Sequence, residues 1–576
     1  MKGFQMIYHA SRVVVLIIAI TITLFAAVGN AEAEQSSGVG DDNSSPTTRI
    51  FQSEALGADS ITWNRKRKAA QWRRRRIIFN NDGDDIWAPN PETPEAFLAS
   101  RTSPLLDSQM DSIFFCSGRT TTLWHDTKVG YFLNIGGAKR FITKYGRDCL
   151  QIQIDFCQEN GIEIFWSLRM NDIHDSYRNS PPLASEETAR LLFSSFKRNH
   201  PEYLMGKPGD STKYPIQSVR LLWSALNYSL PEVREHMFLI IQEVCQRYDV
   251  DGIELDFERS PIFFPPTLDM LPVQQKHLNM MTDLVHRIRE MTVELGLKRG
   301  RPILVATRVP LTLDRSEFLG LDVERWLRED LVDIIIDGEG YLPMAMPSRE
   351  MVDLGHRYDV PVYPCITNCA MYKGGFWGGG RGPDLLDFSS IEAWRGAAMN
   401  IWNSGADGVY LFNCFEPNSP IWRELGNPDT LAKMDKMYAV DYLNINRSLG
   451  EAKASLPTEG FVPVTLKQAE AVSVNLPVGE DIQSANLAEL KLYLHLNHPT
   501  SKDSIIVKLN GTVLTNLKLT DDWLEFALNA TQIKRGDNKI ELILKQQNKP
   551  TQLPLLLDAV QLLVRYEKHE NEKLVR

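Results

Sequence analysis

Tyr248-Asp249-Val250-Asp251-Gly252-Ile253-Glu254-Leu255-Asp256-Phe257-Glu258-Arg259 is the stretch on which the fold turns. Successive side chains of an extended strand point to opposite faces, so Ile253, Leu255 and Phe257 share one side and Glu254, Asp256 and Glu258 the other. A solvated edge strand would accommodate the acids, but not three bulky apolar partners flanked by Gly252. Buried carboxylates resist desolvation and repel one another, so such a face is costly unless its groups are hydrogen-bonded or used chemically. Repulsion raises at least one pKa, which suits a general acid working near neutral pH. In a closed barrel this acidic face is the interior.

Working outward, short apolar runs recur at residues 77–79, 112–115, 162–166, 252–257, 302–306, 332–336, 360–363 and 408–412. Amphipathic stretches separate them, the strongest at Pro231–Arg247, residues 273–294 and Ile391–Ser404. Alternating strands and helices indicate an α/β fold with a parallel sheet. Eight units with polar clusters after each strand favour a (β/α)8 TIM barrel over a doubly wound open sheet. After residue 448 the texture changes to short runs of near-alternating polarity at 487–496, 504–509, 523–528, 539–544 and 559–566. Turn signals at Asn510-Gly511 and Gly536-Asp537-Asn538 separate some of them, which predicts a small all-β sandwich. The expected layout is a catalytic barrel over 75–445 and an accessory β-sandwich over 450–568.

The chain has 576 residues and a formal charge of 63 − 73 = −10, which argues against a general nucleic-acid binder. Seven cysteines exclude a disulfide-dense scaffold and read as small core residues. Cys365-x-x-x-Cys369 has no second ligand pair at structural-metal spacing, so neither metal nor cofactor is expected. Lys2, His9 and Arg12 precede an apolar run over 13–27, and Gly29-Asn30-Ala31-Glu32-Ala33 follows. That pattern predicts a signal peptide over 1–33 rather than an uncleaved anchor, because the run is short for a span of about 20 residues. The expectation is an exported protein, secreted or periplasmic, with no membrane contact after cleavage. Residues 34–74 read as a flexible leader. Its basic run, Arg65-Lys66-Arg67-Lys68 and Arg73-Arg74-Arg75-Arg76, is expected to be solvated.

The run Asp251-Gly252-Ile253-Glu254-Leu255-Asp256-Phe257-Glu258 resembles the fourth-strand signature of family 18 glycoside hydrolases, Asp-Gly-x-Asp-x-Asp-x-Glu, with Glu254 replacing one aspartate. The resemblance implies Glu258 as proton donor and Asp256 as its partner. Asn227-Tyr228-Ser229-Leu230-Pro231-Glu232-Val233-Arg234 and Gly405-Ala406-Asp407-Gly408-Val409-Tyr410-Leu411-Phe412-Asn413 resemble the family-10-like glycosyl hydrolase barrels. Family 18 usually has Met-x-Tyr-Asp after its sixth strand and a Trp ending its eighth. Here those strands end Asp337-Gly338-Glu339-Gly340-Tyr341 and Phe412-Asn413-Cys414-Phe415. The seventh strand ends without the carboxylate that family 10 uses as nucleophile. Asp337 or Glu339 is therefore the expected opposite carboxylate, about 5 Å away for retention or roughly 6.5–9.5 Å for inversion. Loop solvation is the alternative for both.

Sugar sites combine polar groups for hydroxyls with flat aromatics for pyranose faces. Expected binding groups are Glu254 on the fourth strand, Asn80, Asn81 and Asp82 after the first, and Arg169, Asn171, Asp172 and His174 after the third. Arg308, Asn368 and Asn413 follow the fifth, seventh and eighth, with Tyr341 and Trp377 as platforms. The expected function is a secreted glycoside hydrolase acting on a poly- or oligosaccharide by carboxylate acid/base catalysis. A non-catalytic carbohydrate-binding barrel is the alternative. A metal-dependent deacetylase or phosphodiesterase ranks third, lacking a clustered ligand set.

Overall fold

Eight parallel strands form the central sheet: β1 (Ile77–Asn81), β2 (Met110–Phe115), β3 (Glu163–Arg169), β4 (Gly252–Asp256), β5 (Leu304–Val309), β6 (Ile334–Asp337), β7 (Cys365–Thr367) and β8 (Val409–Phe412). Pairing runs β7-β8-β1-β2-β3-β4-β5-β6. A parallel bridge between Ile335 and Val362, just ahead of β7, brings the two ends together into a near-closed barrel. The computed structural model describes residues 57–87, 90–134, 136–179, 192–207, 222–269, 271–338, 348–367, 390–440, 462–483, 485–497, 504–520, 522–546 and 554–567. The expected signal peptide and the start of the leader lie outside them.

Strand alternation sorts the apolar side chains into two cores. Ile78, Phe114, Phe165, Leu304, Ala306, Ile334, Ile336, Tyr363, Tyr410 and Phe412 fill the barrel interior. Their neighbours Phe79, Ile113, Ile164, Ile253, Leu255, Val305, Ile335 and Leu411 face the helices. The seventh strand begins later than the run at 360–363 suggests. Pro361 and Pro364 have no N–H for a ladder, so regular pairing starts at Cys365. The earlier segment still contributes: the Ile335 N–H donates to the Pro361 carbonyl at 3.1 Å and the Tyr363 N–H to the Ile335 carbonyl at 2.9 Å.

The leader is not flexible throughout. Residues Gly57–Gln71 form a helix, α1. Part of the basic run is folded into the N-terminal end of the barrel, while Arg65, Lys66, Arg73 and Arg74 are exposed, as expected. Arg67 donates to Asp330 at 2.6 Å and Asp333 at 2.7 Å. Arg75, fully buried, makes paired bonds of 2.6 and 2.7 Å to Glu163 at the start of β3, and Ser112 donates to the same carboxylate at 2.6 Å. Arg76 pairs with Asp111 at 2.7 Å. These carboxylates would be costly to bury alone, so the cations that the run supplies are drawn in. Of the helices outside the barrel, α2 (Pro231–Arg247) starts with Pro at its first turn and buries Val233, Met237, Ile240, Ile241 and Val244. Helix α3 (Gln275–Arg299) ends at Gly300, whose φ of 77° is a left-handed cap.

The C-terminal part is two antiparallel sheets. One runs β9 (Lys436–Ala439), β18 (Leu555–Tyr566), β12 (Leu487–Leu496), β16 (Trp523–Ala527), β15 (Leu517–Thr520), with β10 (Val464–Leu466) also on β18. The other runs β11 (Ala471–Val478), β17 (Gly536–Gln546), β13 (Ser504–Leu509), β14 (Thr512–Val513). Asn510 and Gly511, with φ of 50° and 85°, turn β13 into β14, as the Asn-Gly signal predicts. Strand β9 lies ahead of residue 450 yet pairs with β18, Lys436 opposite Val564 and Ala439 opposite Gln561. It also rests on the barrel helix Ile391–Ser404, where a Cβ on Gly396 would meet the Met437 carbonyl oxygen at 2.1 Å.

Candidate active site

Glu254 and Asp256 face the barrel interior, and Ile253, Leu255 and Phe257 lie in the helix-covered core, as alternation predicts. The register stacks the interior groups in layers. Ser167, Glu254 and Ala306 form the deeper one; Arg169, Asp256 and Arg308 lie above it. The Tyr410 hydroxyl donates to Glu254 Oε1 at 2.8 Å. Burial, and then the Asp256 charge, push the Glu254 carboxyl up to about 8, so it holds its proton at neutral pH. This raised acid is deep, and burial rather than repulsion is the larger cause.

Asp256 is held from two directions. Arg308 donates to its two oxygens at 3.3 and 3.5 Å, and the Glu258 N–H donates to Oδ1 at 3.0 Å. Burial is the largest influence and works against the Arg308 charge, but Asp256 and the other acidic groups around it together outweigh burial and raise the guanidinium pKa. The Phe412 ring lies 4.1 Å from the Arg308 guanidinium and 4.8 Å from that of Arg259. Glu258, 4% exposed, sits two residues past the end of β4, at the C-terminal mouth where barrel enzymes gather their sites.

A second cluster adjoins this one at the ends of β1 and β3. Asp82 accepts from Arg169 at 2.6 Å and from Arg259 at 3.2 Å. Burial opposes the Asp82 charge, yet the two arginines hold its carboxyl well below the usual range. Arg169 also donates to Asp172 at 2.9 Å, and His174 Nδ1 lies 2.8 Å from the other Asp172 oxygen. Burial pushes His174 down despite Asp172, so its imidazole is neutral at pH 7.

Other expected groups serve different ends. Asn81 continues the outward side of β1 with Phe79: it accepts from the Gly83 N–H at 3.1 Å and from Arg101 at 3.2 Å, which fixes the turn after the strand. Asn171 spends its amide on backbone, donating to the Leu226 and Ile262 carbonyls at 3.1 and 2.6 Å and accepting from the Leu226 N–H at 3.0 Å. Both are structural ties. Asp337 shares the side of Ile335, not that of Ile334 and Ile336. Burial pushes its carboxyl up to about 7, the Ser348 hydroxyl offsets part of that shift, and no charge of the β4 set contributes. Alternation therefore separates Asp337 from Asp256 and Glu258. Asn413 follows β8 with a left-handed φ of 57°, an uncommon state for a non-glycine residue and one that gathers at functional sites. Glu339, Tyr341, Asn368 and Trp377 lie outside the described residues.

No family model matches the chain, and no curated protein matches it. Solved structures that resemble it include glycoside hydrolases. The glycoside hydrolase domain of PgaB (BpsB) from Bordetella bronchiseptica is 11% identical, with a TM-score of 0.40 over 62% of this chain and 98% of that one. A family 18 N-acetylglucosaminidase from Paenibacillus barengoltzii is 13% identical, with a TM-score of 0.32 over 62% of this chain and 98% of its own. A family 27 β-L-arabinopyranosidase from Geobacillus stearothermophilus, solved with arabinose, is 11% identical, with a TM-score of 0.35 over 82% of this chain and 98% of that one.

Tyr410, Arg119 and Arg259 were not among the expected groups, whereas Asn80 was. Asn80 continues the interior side of β1 above Ile78 and is 2% exposed. Tyr410 continues the interior side of β8. Both were legible from alternation alone, since each lies two residues from an interior neighbour. Arg119 and Arg259 carry no such signal. Their place beside Asp82 and Asp172 depends on loops that only the assembled barrel brings together.

Proposed function

We propose that the protein is a glycoside hydrolase, with Glu258 as general acid and Asp256 as the carboxylate that fixes it. The observation that supports this most is Asp256 itself, an interior carboxylate bound to Arg308 and to the backbone of the candidate acid. The Arg308 and Glu258 bonds give Asp256 one orientation, and through its backbone Glu258 is positioned at the barrel mouth. A leaving glycosidic oxygen there would take the Glu258 proton. Asp337, turned toward the helices, is a poor opposite carboxylate. That favours Glu339 or assistance from a substrate's own substituent over an Asp337 nucleophile. The Asn227–Arg234 and Gly405–Asn413 motifs keep the family-10-like grouping as part of this reading, and the N-terminal run of 13–27 supports export.

A panel of poly- and oligosaccharides tests it. Hydrolysis of at least one member, lost in Glu258→Gln and in Asp256→Asn while binding persists, is the expected result. A non-catalytic carbohydrate-binding barrel is the second reading, favoured by how fully Asp82, Asp172 and Asp256 are already ion-paired. Binding without turnover by the unaltered protein would select it.

A further inference from the structure

Arg119 stands apart from the other guanidiniums at the mouth. Arg169, Arg259 and Arg308 each pair with a carboxylate, Asp82, Asp172 or Asp256. No carboxylate among the described residues pairs with Arg119, and its Nε is buried without a hydrogen-bond partner. Its guanidinium lies 5.2 Å from the Trp87 ring, whose Nε1 is likewise without a partner among the described residues. The attractive charges nearest it are Asp172 and Asp82, but their oxygens already serve Arg169, Arg259 and His174. Arg169 and Arg259 repel it.

The residue is presented rigidly. Gly118 and Arg119 pair with Leu123 and Thr122 in a tight hairpin. Thr121 Oγ1 lies 2.7 Å from Ser194 Oγ, and Thr122 Oγ1 donates to the Leu192 carbonyl at 3.0 Å. Arg119 itself remains partly exposed. A cation on a pinned hairpin, set over an aromatic ring, short of an anion and carried by a partly exposed residue is arranged to receive one.

We infer that Arg119, over Trp87, binds the carboxylate of a uronic acid residue, so that the preferred glycan at this mouth is acidic. This rests on the glycosidase reading only for the location of the glycan. A planar guanidinium takes a carboxylate with two parallel bonds, whereas a hydroxyl fills only one.

The test uses the full chain and matched pairs: oligogalacturonate, oligomannuronate and hyaluronan fragments, each beside its carboxyl-reduced neutral twin of identical linkage. Calorimetric binding and release of reducing ends are read separately. An acidic member should bind about 10- to 100-fold more tightly than its twin at low salt. Arg119→Gln should erase that difference and Arg119→Lys retain part of it, with unfolding midpoints showing both variants folded. Equal affinity for the twins, or a preference that survives Arg119→Gln, overturns the inference. Hydrolysis without charge preference would do so and leave the hydrolase reading standing. An Arg119-dependent preference in binding without hydrolysis would uphold the anion site and count against catalysis.

Discussion

The Tyr410 hydroxyl of β8 donates across the barrel interior to Glu254 of β4 at 2.8 Å. Glu254 is neutral at pH 7 because burial outweighs every group that would favour its charge. The folded state keeps a proton that the unfolded chain releases above its ordinary value of 4.5. Stability from this group is therefore full below about 4.5 and lost as pH rises toward about 8. Asp337, raised to about 7, and Asp85, raised to about 6, add slope of the same sign. Glu254→Gln keeps an acceptor for Tyr410 and should remove its own part, up to roughly 1 kcal/mol per pH unit. Urea midpoints at about pH 5 and pH 8 measure it; an unchanged slope would count against a protonated Glu254.

Breaking the Asp256–Arg308 pair should cost more than removing it. Arg308→Met leaves a buried carboxylate without its cation, a loss of roughly 3–5 kcal/mol. Asp256→Asn combined with Arg308→Met should recover a good part of that. A double-mutant cycle by chemical denaturation reads the coupling, and additive losses would show the two side chains to be independent.

At the opposite end of the barrel, Arg75→Met should destabilise more than Arg67→Met. Arg75 is the cation bound to Glu163, whereas Asp333 retains Arg289 at 2.8 Å when Arg67 is lost. The expected cost is roughly 3–5 kcal/mol for Arg75 and clearly less for Arg67. Equilibrium unfolding of the two variants settles the order; the reverse ranking would refute the account of α1 and the basic run.

The roles of the β4 acids separate by kinetics. Glu258→Gln should lower kcat by about 10²–10⁴ if it is the general acid. Glu254→Gln, which preserves a neutral hydrogen-bonding group, should cost far less. Assays on whichever glycan is cleaved compare them, and equal losses would shift the acid role toward Glu254.

Gly396→Ala should loosen the C-terminal sheets from the barrel, since the new methyl would collide with the Met437 carbonyl. Limited proteolysis should then cut after residue 440 faster than in the unaltered chain. A fragment starting at 450 lacks β9 and leaves part of β18 unpaired, so it should be less soluble than one starting at 434. Equal solubility would show β9 to be dispensable.

By itself the sequence determined which face of β4 carries the acids and that eight strand–helix units close around them. Both follow from local periodicity: a strand's alternation and a run's spacing are set by neighbouring residues. The same rule, applied at β1 and β8, reveals Asn80 and Tyr410, and at β6 it turns Asp337 away. What the tertiary structure alone decided is how charge is distributed. Arg75 meets Glu163 across 88 residues, Arg67 meets Asp330 across 263, and Asn171 is consumed by the carbonyls of two distant loops. The raised carboxyl of the deep Glu254 has the same origin. A pKa depends on burial and on charges brought near in space, and those are properties of the assembled barrel rather than of any stretch of its chain.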